Sequence, residues 1–186
     1  MNYNIAYFLY QLAQNHTWLL NFFQFCAAYG IFIIPVSLLL TFFGSSISSK
    51  KTAILAFLAV ILGWLILATL TSHWLALPGP QLPPQAWQDP LFHKNEAATF
   101  PSQHAVALFA LTFVYFFERM KGWSWILFCF SLVVVIARVA VTLHTPLDIV
   151  AGLGLGFVAA ALVWAIKSPL DFIVDPFVKL FVKWKI

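Results

Sequence analysis

Apolar and polar positions along this chain separate by whole segments. Residues 18–43, 52–71, 105–117, 123–143 and 149–166 are almost continuously apolar, and polar or proline-rich stretches divide them. A helix rising about 1.5 Å per residue needs about 20 apolar residues to cross the hydrocarbon core, and it satisfies its backbone polar groups internally. Trp123–Leu143, at 21 residues, covers about 31 Å, one such core. The pattern predicts an all-α, polytopic membrane helix bundle with about five spans. Pro35 should kink the first of them.

Shorter amphipathic stretches flank the spans. Tyr3, Tyr7 and Tyr10 recur at helical spacing while Asn4, Gln11 and Asn15 gather on another face, so residues 1–16 read as a helix lying in the membrane interface. At the other end, residues 168–186 mix Phe172, Ile173, Phe177, Phe181 and Trp184 with Lys179, Lys183 and Lys185, the pattern of an amphipathic tail on the anionic inner leaflet. Between spans lie a first loop, Gly44–Lys51, a long loop, 72–99, holding Pro78, Pro80, Pro83, Pro84 and Pro90, and a turn at Glu118–Gly122. Within the fifth segment, Gly152, Gly154 and Gly156 follow no strand; Gly152 and Gly156 are expected to allow close helix packing. All of 1–186 reads as one membrane-embedded domain.

Composition agrees: 62% of residues are hydrophobic and 9% charged, against about 25% charged in a soluble domain. The chain lacks Lys or Arg before its first long apolar run, so that run is expected to stay in the mature protein as a span. Cys26 and Cys129 lie in apolar runs without a Cys-x-x-Cys pattern and read as small packing residues. The net charge of +4 has no basic stripe interleaved with exposed aromatics, which argues against nucleic acid as a partner. Its distribution is informative. Lys50, Lys51, Arg119, Lys121, Lys167, Lys179, Lys183 and Lys185 fall on one side of the five-span alternation, and Lys94 and Arg138 toward the other. The positive-inside bias makes the larger group cytoplasmic. The expected location is therefore the plasma (inner) membrane, with the loop 72–99, His104, Arg138 and His144 facing the periplasm or exterior.

Chemistry concentrates in two short stretches. Arg138 is the one ion in residues 123–143; a guanidinium there costs about 2.5 to 3.5 kcal/mol even on the lenient insertion scale, so it marks a functional candidate. His144 and Asp148 are four apart, which puts them on one face of a helix that includes both. A carboxylate so placed could fix the imidazole tautomer and raise its basicity. Thr145, Pro146 and Asp148 also look like a helix start, with Thr145 as cap, Pro146 first and an acid third; the two readings are compatible. Upstream, Ser102 would cap the third span. The helix start at Pro101-Ser102-Gln103-His104 is a natural phosphate seat, to which Arg138 brings a bidentate counter-charge.

Phe100-Pro101-Ser102-Gln103-His104 resembles the Pro-Ser-Gly-His motif of the type 2 phosphatidic acid phosphatase superfamily. Ala137-Arg138 with His144 and Asp148 resembles that family's Ser-Arg-x5-His-x3-Asp motif, with the spacing kept. The resemblance covers roughly residues 50 to 165. The uncharged amino terminus, the small size and the loop before Phe100 are most similar to the bacitracin-resistance type of undecaprenyl diphosphatase. The resemblance implies a hydrolase of lipid phosphates or diphosphates in which His144 is the nucleophile that becomes phosphohistidine, Asp148 orients it and His104 protonates the leaving oxygen. Ser102, the Gln103 backbone and Arg138 would hold the phosphate oxygens. It implies no metal and no cofactor, with membrane lipids as partners and the oligomeric state left open. The family's first motif, Lys-x6-Arg-Pro, has neither its Lys nor its Arg in the best placement, Ser72 through Gly79-Pro80. Lys94, the one cation of the long loop, is the candidate phosphate-binding substitute. Alternatives are a member that has lost catalysis and serves as a membrane binding or scaffold protein, and a lipid phosphotransferase.

Overall fold

A computed structural model describes residues 2–75, 77 and 100–183, and every regular element among them is helical. The amino-terminal stretch expected to be helical forms α1, Asn2–Gln14, whose Ala6, Tyr10 and Ala13 are buried. The first span is α2, Thr17–Tyr29, and α3, Ile33–Phe42, joined through a tight 3-10 turn at Gly30–Phe32 into a 26-residue apolar rod. Pro35 sits in the first turn of α3. Its missing N–H and its ring disturb the carbonyl one turn earlier, at Ile31, which is where the helix changes its winding.

The second span is longer than its apolar run. α4, Ile47–Ile61, starts at an N-cap in which Ser46 Oγ accepts from Ser49 N at 2.9 Å, so Ile47–Lys51 are helical and not loop. Beyond Ile61 the helix widens into a π-helical segment, Leu62–Ala68, and resumes as α5, Thr69–Leu75, making 29 residues in all. Ser72–Leu75, expected to open the long loop, therefore belong to this helix. The remainder of that loop, Leu77 excepted, lies outside the described residues.

The third apolar segment, α6, Gln103–Phe117, has 15 residues, about 22 Å of rise, less than one hydrocarbon core. It forms the centre of the bundle, packing on α4 and on two helices that follow, α7, Lys121–Ala140, and α8, Pro146–Ala165. Ala105 through Leu111 are fully buried. The closest approach is to α8 and depends on glycine: a Cβ on Gly156 would meet Val106 O and Ala110 N at 2.8 Å, and one on Gly152 would meet Ala105 Cβ at 2.6 Å. Gly154 faces open space. The packing role expected of Gly152 and Gly156 is thus what the fold uses.

α7 stops three residues before the expected Leu143. Thr142 adopts a left-handed φ of 58° and Leu143 N bonds Arg138 O at 2.9 Å, which closes the helix and reverses the chain. The tail is a helix, α9, Lys167–Lys183, with Val174 and Val178 buried and Phe172, Ile173 and Phe177 exposed. Ion pairs hold one end of the bundle together: Lys167 with Glu118 at 2.6 Å, and Lys51 with Asp171 and Asp175. Cys26, buried, and Cys129, exposed, are both free thiols.

Candidate active site

The two chemistry-bearing stretches meet at the opposite end from those ion pairs, where α6 and α8 begin and α7 ends. Pro101 precedes α6, and Ser102 caps it, its Oγ accepting from Ala105 N at 3.5 Å. Ser102 N donates to Asp148 O at 3.1 Å, so a backbone bond joins the start of α6 to the first turn of α8. That turn is held by a reciprocal capping box: Thr145 N donates to Asp148 Oδ2 at 2.8 Å, and Asp148 N donates to Thr145 Oγ1 at 3.3 Å, with Pro146 at the first helical position. The helix start read from Thr145-Pro146-Leu147-Asp148 is therefore present.

His144 lies before α8, not on it, so the condition of one helix including both residues is not met and the His144–Asp148 pair does not arise from helical periodicity. The reversal at Thr142 makes it. His144 N lies 3.4 Å from Arg138 O, and the ring comes to rest between Arg138 and Asp148. Nδ1 stands 3.4 Å from Asp148 Oδ2, and Nε2 stands 3.2 Å from Arg138 Nη2. A guanidinium only donates, so in this contact Nε2 is the acceptor and carries the lone pair, leaving the proton of the neutral ring on Nδ1 beside the carboxylate. The unprotonated nitrogen therefore faces the cation best suited to hold an oxyanion. His144 and Asp148 are both buried.

Arg138 is fixed from behind. Its Nη1 donates to Ala27 O at 2.9 Å, tying the guanidinium to α2, while its Nε is buried with no hydrogen-bond partner among the described residues. Its position in the last turn of α7 also places a cation at the negative end of that helix. His104, on the first turn of α6, is partly buried and within electrostatic range of both Arg138 and His144. Ser102, Gln103, His104, Arg138, His144 and Asp148 thus all sit at one junction; Lys94 lies outside the described residues. Among the described residues no group of three or more His, Cys, Asp and Glu side chains is placed to hold a metal ion.

Three features had no reading in the sequence. The Ala27 carbonyl carries no residue-specific signal. Thr142, a β-branched residue, gives no warning of a left-handed conformation. Trp64, in the π-helical segment, donates its indole N–H to Gln103 Oε1 at 3.2 Å, and nothing in the sequence pairs these two positions.

The sequence profile of the PAP2 superfamily matches residues 53–170, and the chain belongs to that superfamily. It is a multi-pass membrane protein of the lipid-phosphatase class, as the two motifs had implied. Among curated proteins, the bacitracin transport permease protein BcrC of Bacillus licheniformis is 26% identical over 177 residues, covering 93% of this chain and 84% of the relative. No solved structure matches significantly.

Proposed function

We propose that this protein hydrolyses lipid diphosphates or phosphates, with undecaprenyl diphosphate the favoured substrate, through a phosphohistidine on His144. The observation that carries the reading is the contact of His144 Nε2 with Arg138 at 3.2 Å, with Asp148 at the other ring nitrogen. Phosphate oxygens held by Arg138 and the start of α6 would bring phosphorus to the Nε2 lone pair. A new N–P bond forms as the bond from phosphorus to the lipid-side oxygen breaks, and that oxygen takes the electron pair and a proton from His104. Asp148 stabilises the charge arising on the ring. Water, deprotonated by His104, then attacks phosphorus, and the N–P electron pair returns to His144. Lys94 is a further candidate for the phosphate charge.

The fold is read as one domain over 1–186, in the plasma membrane, with the lysine-rich end carrying Lys50, Lys51 and Lys167 cytoplasmic and the site facing outward.

The test is phosphate release by purified protein from a panel of lipid phosphates and diphosphates, together with trapping of labelled phosphate on the protein. His144→Ala should abolish both. His104→Ala should still accept label from substrates with good leaving groups. Label retained at the wild-type level in His144→Ala would place the nucleophile elsewhere, and wild-type silence across the panel would favour the scaffold reading. Label passed to an added lipid alcohol in preference to water would identify a phosphotransferase.

A further inference from the structure

Gln103 stands where the family motif has glycine, and its side chain is engaged. Trp64 Nε1 lies 3.2 Å from Gln103 Oε1, a hydrogen bond joining residues 39 apart in sequence. An indole nitrogen donates and cannot accept, so the amide oxygen is the partner and the orientation of the amide follows. The NH2 group is left with two hydrogens to give. Gln103 is exposed and opens α6, between the Ser102 cap and His104. Trp64 reaches it from Leu62–Ala68, where the chain follows π-helical winding in the middle of a 29-residue rod. Such segments shift the angular position of side chains relative to a regular helix, and they recur at functional sites. Gly63, next to Trp64, lets the segment sit against α6: a Cβ there would be 3.0 Å from Val106 Cγ1.

Resting on the phosphatase reading above, we infer that Trp64 is a positioning residue that turns the Gln103 carboxamide so its NH2 donates to a phosphate oxygen of the lipid substrate. A second feature of the same helix junction points to an anion: Arg138 Nε is buried without a hydrogen-bond partner among the described residues. The pair adds a neutral donor at this junction. A donor at the edge of the seat, not at the reacting nitrogen, contributes to binding more than to the chemical step, so its effect belongs in KM.

The experiment measures binding of labelled farnesyl diphosphate and, in parallel, its hydrolysis, for the wild type, Trp64→Phe, Gln103→Ala, their double variant and Gln103→Glu, with thermal midpoints in detergent recorded for each. A hydrogen bond to a charged group corresponds to about a tenfold change in affinity. Trp64→Phe and Gln103→Ala should each weaken binding and raise KM by about tenfold or more with kcat little changed. The double variant should be no worse than Gln103→Ala, because both remove one interaction. Gln103→Glu separates positioning from a structural tether. It keeps an acceptor for Trp64 but removes the NH2 donors and adds negative charge, so it should bind more weakly than Gln103→Ala, whereas a tether alone would be restored. Unchanged binding in both single variants, additive losses, or near-normal binding in Gln103→Glu would overturn the inference. Wild-type binding without hydrolysis here and across the lipid panel would sink the phosphatase reading and leave the pair's role in binding to be judged by the same variants; absence of wild-type binding would overturn the inference, with the panel still deciding the phosphatase reading.

Discussion

Asp148 carries two interactions that substitutions can separate. Its carboxylate accepts from Thr145 N at 2.8 Å, which caps α8, and the same oxygen faces His144 Nδ1 at 3.4 Å. Asp148→Asn retains an oxygen able to accept from Thr145 N and loses the negative charge that stabilises the ring as it becomes cationic. Turnover should fall on the order of 10³-fold or more, by analogy with the loss of an orienting carboxylate beside a catalytic histidine, with little change in thermal midpoint. Thr145→Ala does the reverse: it removes the hydroxyl cap and keeps the carboxylate, so stability should drop by about 1 kcal/mol while most activity remains. Phosphate release and thermal unfolding, measured on both variants, check this. Parallel losses of activity and stability in the two would reject a separate orienting role. The spacing of His144 and Asp148 was visible in the sequence, but whether one helix would include both was not; His144 lies before α8, and the left-handed Thr142 brings it to Asp148.

At the scale of elements, the contact of α6 with α8 sets the distance between the two motifs. The backbone bond from Ser102 N to Asp148 O forms because Gly152 and Gly156 let the helices close to within reach. Gly156→Ala would place a methyl 2.8 Å from Val106 O and Ala110 N, both main-chain atoms that cannot swing aside, so it should cost about 1 to 3 kcal/mol and lower activity by separating the motifs. Gly154→Ala meets nothing within 4 Å and exchanges glycine for a better helix former, so its stability should be unchanged or raised by up to about 1 kcal/mol. Unfolding midpoints of the two variants in detergent make the comparison, and equal destabilisation would show that the packing is looser than described. The glycine pattern was legible because small residues four apart share a helix face. The partner helix was not, since any apolar neighbour satisfies that pattern.

For the whole molecule, the proposed orientation rests on the lysines. Lys51 meets Asp171 and Asp175, and Lys167 meets Glu118, so the start of α4, the turn after α6 and the tail helix gather at one end, away from His144 and Arg138. In a chain with Cys26 and Cys129 replaced by alanine, Leu77→Cys should react with a membrane-impermeant thiol reagent added from outside, and Ser48→Cys only after the membrane is opened. The reverse pattern would put the site on the cytoplasmic side.

Segment hydrophobicity alone determined that the chain is a helical membrane bundle, because a bilayer admits few ways to bury so much apolar surface and still satisfy the backbone. The sequence also singled out Arg138 as a candidate, since a charge is costly inside a membrane-length run, and Ser102, His104, His144 and Asp148 by spacing, helix-start pattern and motif. Only the tertiary structure decided which of their atoms face each other. The Ala27 carbonyl that holds Arg138, the reversal at Thr142 that returns His144 to it, and the π-helical segment that brings Trp64 to Gln103 depend on main-chain geometry and on contacts between distant residues. Main-chain atoms are the same at every position, and a contact across 111 residues leaves no periodicity in the sequence from which to read it.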